Sequence, residues 1–339
     1  MIQNLLEKLF NRQDLTRDEA HGLMNAVMEG RLVDAQIAAV LIALRMKGET
    51  VEEIAGFARA MREKAVCIAP GRPGTIDTCG TGGDAKNTFN ISTATAILSA
   101  AMGIPVAKHG NRAVSSQCGS ADVLEALGVK IGLEPGAVCE LIRDVGIGFL
   151  FAPSHHPAMK HAAATRKQLG VRTVFNVLGP LTNPAGVERQ LLGVYDAVLT
   201  EKLCLVLRAL GSKKAFVVHG MDGMDEVSIT GETRVSALDH GEVRTFCFSP
   251  EEAGLKRARL DEISGSSAGE NAAHIRNLLL GRPGPRQDAV LLNAGFAAML
   301  ADRAGDVSEG VALAREAIAS GKAGELLDRL CRVSHAKAG

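Results

Sequence analysis

The run Pro70-Gly71-Arg72-Pro73-Gly74 divides the chain. Each proline fixes φ and removes an amide donor, and each glycine loosens the backbone, so no helix or strand passes through it. On its N-terminal side the patterns are helical. Apolar residues recur at helical spacing in Leu5, Leu6, Leu9 and Phe10. Thr16 with Glu19, and Thr50 with Glu53, match the capping box that opens helices. Segments close at Gly30 and Gly48, where a positive φ suits a helix end. Short connections between successive helices predict a small all-helical domain over 1–70.

Beyond the break the period changes. Short apolar stretches at Thr75–Thr78 and Pro105–Lys108 are followed by helical ones at Ile91–Met102 and Ala121–Leu127. Ile147–Ala152 and Lys214–His219 read as further buried strands. This alternation predicts an α/β domain over 75–339, with a mainly parallel central sheet flanked by helices on both faces. Val227–Phe248 alternates, with turn residues Gly231 and Gly241, and predicts added antiparallel strands. From Glu270 onward the pattern is helical again.

Composition narrows the partners. Thirty-eight basic and 38 acidic residues cancel in 339, so no global field draws nucleic acid or an anionic membrane. With no Trp and one Tyr, aromatic platforms for single strands are not expected. Seven scattered cysteines without a Cys-x-x-Cys pair argue against a disulfide or zinc framework and for a reducing cytoplasm. Glu7 and Lys8 make the first segment an amphipathic helix rather than a signal peptide. The apolar run Ile37–Leu44 is far short of the roughly 20 residues that span a bilayer.

Four loops carry the chemistry. Asp77-Thr78-Cys79-Gly80-Thr81-Gly82-Gly83-Asp84 links a strand to a helix opening at Asn90-Ile91-Ser92-Thr93. Glycines let backbone approach a ligand, and a helix start offers free N–H groups to phosphate. The same residues would also serve a plain strand-to-helix turn. The loop matches neither a Walker A nor a dinucleotide fingerprint. Lys108-His109-Gly110-Asn111-Arg112-Ala113-Val114-Ser115-Ser116, closed by Gly119-Ser120, follows the next strand. It reads as an anion loop or as a solvated surface. Asp222-Gly223-Met224-Asp225-Glu226 follows the strand ending at His219 and reads as a hard-cation site or an acidic turn. Arg166-Lys167-Gln168-Leu169-Gly170 leads into a rigid segment with Gly179-Pro180 and Asn183-Pro184, which suits a crevice wall. His155 and His156 are adjacent, so a metal pair is not expected and a structural or capping role is. No nucleophile arrangement emerges, which leaves binding and charge stabilisation of a phosphorylated substrate.

Taken together, Gly80-Thr81-Gly82-Gly83-Asp84, Asn90-Ile91-Ser92-Thr93, Lys108-His109-Gly110-Asn111-Arg112, Arg172-Thr173-Val174-Phe175-Asn176, Gly179-Pro180-Leu181-Thr182-Asn183-Pro184 and Asp222-Gly223-Met224-Asp225-Glu226 resemble the anthranilate phosphoribosyltransferases. Ala113 stands where serine is frequent in that family. The resemblance implies transfer of a phosphoribosyl group from phosphoribosyl pyrophosphate (PRPP) to the amine of anthranilate, with Mg2+ as cofactor. It implies a nucleoside phosphorylase-like fold, in which a helical excursion around 170–190 joins the small domain, and a homodimer formed through that domain. It implies that Gly80, Gly83, Asp84, Thr88, Asn90, Ile91, Ser92 and Thr93 bind PRPP. Lys108, His109, Gly110, Asn111, Arg112, Ala113, Val114, Ser115, Ser116 and Ser120 would wrap the same substrate. Gly80, Asn111 and Arg166 would face anthranilate, and Ser92, Asp225 and Glu226 would hold metal.

No single residue stands out as an acid or base. Lys108 and metal would stabilise charge on the departing pyrophosphate. A pyrimidine nucleoside phosphorylase of the same fold, and a non-catalytic relative that binds nucleic acid, are the competing readings. The Asp225-Glu226 pair and the intact lysine loop count against the first, and zero net charge counts against the second.

Overall fold

Two capping boxes anchor the N-terminal helices. Thr16 and Glu19 exchange side-chain and backbone hydrogen bonds at the start of α2 (Arg17–Met28), and Thr50 and Glu53 do so at α4 (Val51–Glu63). With α1 (Ile2–Phe10) and α3 (Asp34–Lys47) these form the bundle. Glu53 does more than cap. Its buried carboxylate also accepts from the Leu15 amide at 2.9 Å and from Lys47 Nζ at 2.9 Å. Removing one partner of such a buried pair strands the other, so Glu53→Ala is expected to destabilise the protein by about 3 kcal/mol, measured by denaturant unfolding.

The computed structural model describes residues 2–113 and 118–338. After the Pro-Gly break come β1 (Ile76–Gly80), α5 (Ile91–Ala101), β2 (Val106–Gly110), α6 (Ser120–Ala126), α7 (Pro135–Val145) and β3 (Ile147–Phe151). The chain then makes α8 (Ala152–His155), α9 (Lys160–Leu169) and α10 (Phe175–Leu178) before β4 (Arg189–Gly193), α11 (Leu199–Ala209) and β5 (Lys214–Gly220). The hairpin β6 (Thr233–Asp239) and β7 (Glu242–Phe248) turns at His240 and Gly241, both with positive φ. Helices α12 (Ala268–Leu279), α13 (Pro285–Leu300), α14 (Val307–Ala319) and α15 (Lys322–Ala336) complete the fold.

The seven strands lie in the order β3-β2-β1-β4-β5-β6-β7. Pairs from β3 to β5 are parallel, and the two pairs from β5 to β7 are antiparallel. The mainly parallel α/β fold expected from the alternating pattern is the fold observed. Side chains alternate across the sheet, so Phe216 and Val218 enter one core while Ala215 and Val217 enter the other. The first core holds α5, α6, α7 and α12 to α15. The second holds the bundle with α11, and α9 packs on α2 and α3. The strand order places a reversal between β1 and β4: the chain leaves β1 for β2 and β3 on one side and returns to β4 on the other. Ligands in open α/β sheets bind beyond the carboxyl ends of strands at such a point.

Candidate active site

Two glycines at that point make room for one acidic segment. A Cβ on Gly193, the last residue of β4, would lie 1.6 Å from the Asp225 carbonyl oxygen. A Cβ on Gly80, the last of β1, would lie 2.4 Å from Asp225 Oδ2. Only bare backbone at both strand ends lets the 221–232 connection cross there. Backbone donors then seize its carboxylates. The Gly82 amide donates to Asp225 Oδ2 at 2.7 Å, and the Ser92 amide, in the first turn of α5, donates to Glu226 Oε1 at 3.0 Å.

The result is a crowded negative centre. Burial first, and the Asp84 and Glu226 charges next, push the Asp225 carboxyl far above the usual range. Burial pushes Glu226 up to about 7, against the pull of Lys108. One Asp84 oxygen is buried without a hydrogen-bond partner. Lys108 rises from β2 between these acids and the helix start, donating to the Thr78 carbonyl at 2.5 Å and approaching Ser92 Oγ at 3.4 Å. Among the described residues no three acidic, His or Cys side chains are placed to hold a cation alone. The donors nevertheless fit Mg2+, which takes one or two carboxylates and completes its shell with water and substrate phosphate.

The remaining expected residues divide. Asn90 donates to the Cys118 carbonyl at 3.2 Å and accepts from Asn271 at 3.1 Å, which fixes the helix start. Thr88 bridges to Ser264. Ile91 and Thr93 are buried, and the Thr93 hydroxyl has no partner. Gly83 carries a positive φ and its carbonyl accepts from Arg172, whose guanidinium lies over the Tyr195 ring 4.2 Å from its centroid. Gly110 passes tightly against Ser120 and Phe149, and Ser120 Oγ donates to the Asn111 carbonyl at 3.2 Å. Arg112 turns onto α6, bonding Glu125 and Asp122, and the Ala113 amide donates to Asp122 at 2.9 Å. Val114, Ser115 and Ser116 lie outside the described residues. A separate groove of about 380 Å³, lined by His274, Arg282 and Arg286 among others, carries none of the strand-end glycines or carboxylates.

On the other side of Lys108 lies a wall of three buried histidines, of which sequence reasoning singled out only His109 for the site. The His109 and His156 rings are 5.3 Å apart, and His155 Nδ1 lies 2.8 Å from the Val66 carbonyl. Nε2 of each ring is buried without a partner. Because α8 is a single turn that gives way to 3-10 geometry, adjacent His155 and His156 both turn inward. Burial, aided by its neighbours' charge, lowers His109 to about 3 and His156 to about 4. A histidine whose folded pKa is depressed stabilises the fold above its unfolded pKa and loses that contribution as pH falls. Relative to His156→Asn, the wild type is expected to lose about 2 kcal/mol between pH 7.5 and pH 5, measured by unfolding at both.

Known proteins match this chain over nearly its whole length. The profile described as glycosyl transferase family, helical bundle domain, matches residues 3–65, and that described as glycosyl transferase family, a/b domain, matches residues 72–324. The anthranilate phosphoribosyltransferase of Methanocorpusculum labreanum is 52% identical over 99% of both chains, and that of Moorella thermoacetica is 51% identical over 97% of both. The chain belongs to the anthranilate phosphoribosyltransferases. The Thermus thermophilus member superposes with a TM-score of 0.93 at 46% identity, covering 97% of this chain and 99% of that one. The Saccharomyces cerevisiae member, solved in complex with PRPP and Mg, superposes with a TM-score of 0.91 at 29% identity, covering 99% and 98%.

Among the described residues, Arg166 keeps a guanidinium without an ion pair. It lies over the Phe175 ring at 4.9 Å and has no acidic or hydrogen-bonding partner among the described residues. Burial pulls its guanidinium below the ordinary range. Arg112, by contrast, has its charge satisfied by acids of α6.

Proposed function

We propose that this protein transfers the phosphoribosyl group of PRPP to the amine of anthranilate, releasing pyrophosphate, in tryptophan biosynthesis. The observation that carries the reading is the convergence, at the β1/β4 reversal, of the glycine loop, Lys108 and the Asp225-Glu226 pair. The N–C1′ bond forms as the bond from C1′ to pyrophosphate oxygen breaks. Charge gathers on the pyrophosphate, and Lys108 with the positive end of the α5 dipole stabilises it, while the Gly82 and Ser92 amides hold the Asp225 and Glu226 carboxylates. Mg2+, held by Asp225 and Glu226 with Ser92 nearby, supplies further charge neutralisation when bound. Gly80, Asp84, Thr88, Asn90, Ile91 and Thr93 complete the PRPP side in this reading, and the 108–116 loop with Ser120 wraps it.

Anthranilate is a weak base, so its amine reaches the site unprotonated and a strong general base is not required. Placing the amine against C1′ is then the larger task. Asn111, Gly80 and Arg166 form the acceptor side, with Arg166 opposite the carboxylate. Arg166→Ala is expected to raise KM for anthranilate about 30-fold with a smaller change in kcat, because one desolvated ion pair is lost.

The small domain, 1–70 with the excursion around 170–190, closes over residues 75–339 about the Pro70–Gly74 break and excludes water from PRPP. Exposed Phe10 and Met46, on the mutually packed α1 and α3, supply apolar area for a homodimer through that domain. Among the described residues no helix is long and apolar enough to cross a membrane, and the seven cysteines are free thiols, which suits a cytoplasmic location. The deciding assay mixes protein, PRPP, Mg2+ and anthranilate and follows loss of anthranilate fluorescence. Loss that requires all four is the expected result, and none with each substrate in excess overturns the reading.

A further inference from the structure

Helix α13 is buried without interruption from Ala289 to Ala298, and Asn293 is the one polar side chain in that stretch. A buried carboxamide is costly unless each of its groups is paired. Asn293 is fully buried and fully paired. Its Oδ1 accepts from the Val227 amide at 3.1 Å, and its Nδ2 donates to the Val227 carbonyl at 2.9 Å and to the Ala289 carbonyl at 2.9 Å. One side chain thus takes both backbone groups of Val227, as a neighbouring strand would.

Val227 follows directly on Asp225 and Glu226. The carboxylates are held from the substrate side by the Gly82 and Ser92 amides, and Val227 is held from beneath by α13. Helix α13 itself packs against α5, α14, β1, β4 and β5, so it is a fixed reference. We infer that Asn293 is a positioning residue that sets the depth and direction of the Asp225-Glu226 pair through a two-pronged clamp on Val227. A leucine at 293 has the right bulk, but it leaves the Val227 N–H and C=O without partners in a place water does not reach. The segment then has to move to satisfy them, and the carboxylates move with it.

This inference rests on the reading of Asp225 and Glu226 as the metal-side carboxylates, and its test separates the two. Hydrogen exchange on the metal-free, full-length wild type should show a slow Val227 amide. In Asn293→Ala, exchange over 224–230 should quicken at least tenfold while α13 stays protected. Titration calorimetry should show Mg2+-dependent pyrophosphate binding weakened at least tenfold, with anthranilate affinity unchanged. Asn293→Asp, which keeps an acceptor for the Val227 amide and loses the donor, should fall between, and it carries both measurements if the alanine variant does not fold. A wild-type Val227 amide as fast as exposed loop amides overturns the clamp. So does a folded variant with wild-type Mg2+-dependent binding, or one whose α13 exchange and anthranilate affinity change equally. If Asp225→Asn with Glu226→Gln leaves Mg2+-dependent pyrophosphate binding intact, the reading of the site fails, whatever Asn293 does.

Discussion

Asp225→Asn combined with Glu226→Gln is expected to lower kcat/KM by about a thousandfold or more, with the fold intact. The substitutions are isosteric, and each amide oxygen still accepts from Gly82 or Ser92, so the hydrogen bonds that seat the segment survive. What disappears is the negative charge that would hold Mg2+ against the pyrophosphate. Losing one well-placed electrostatic partner at a developing charge costs roughly 10²–10³ in rate, and here two are lost. Without metal the variant should also be more stable than the wild type near neutral pH, since it removes two carboxyls whose ionisation burial opposes. Steady-state kinetics across a Mg2+ titration, beside thermal unfolding without metal, checks both effects. Wild-type turnover would remove the carboxylates from the mechanism.

Gly193→Ala should be nearly as damaging by a different route. The added methyl would fall 1.6 Å from the Asp225 carbonyl oxygen, and that oxygen is backbone, so the 225–227 segment must shift as a unit. Gly80→Ala meets the far end of the Asp225 side chain at 2.4 Å, which a rotation relieves. Overpacking of this kind costs about 1–3 kcal/mol of stability where neighbours can yield, and more where they cannot. The expected order is therefore a loss of about 3 kcal/mol and at least a hundredfold in kcat/KM for Gly193→Ala, with markedly smaller losses in stability for Gly80→Ala. Denaturant unfolding and kinetics on the two variants test it, and equal stability effects would contradict the steric account.

Much of this was readable from residues alone, because the signals were local. The capping boxes at Thr16 and Thr50, the helix ends at glycine and the apolar runs of β1, β2, β3 and β5 each lie within a few residues of chain. Strand β4 gave no such signal. It has five residues, opens with Arg189 and Gln190, and buries Gln190 by donating to the Pro180 carbonyl at 2.6 Å. Only its partners on both sides make it a strand, yet it forms half of the reversal where the site sits. The histidine wall was hidden for a related reason. Faces assigned from helical periodicity do not apply to α8, a single turn. Arg112 shows the opposite limit: its loop advertised an anion site, while acids ten and thirteen residues along take up its charge. Asn293 drew no reading from the sequence, because the backbone it holds lies 66 residues away.

The contact between Arg172 and Tyr195 has a practical consequence. The chain has no tryptophan and this single tyrosine, so emission excited at wavelengths beyond phenylalanine absorption comes from one ring. That ring stacks under the guanidinium that holds Gly83. The molecule therefore carries an intrinsic optical gauge beside its glycine loop, and a stopped-flow trace without any label reads changes around that one ring.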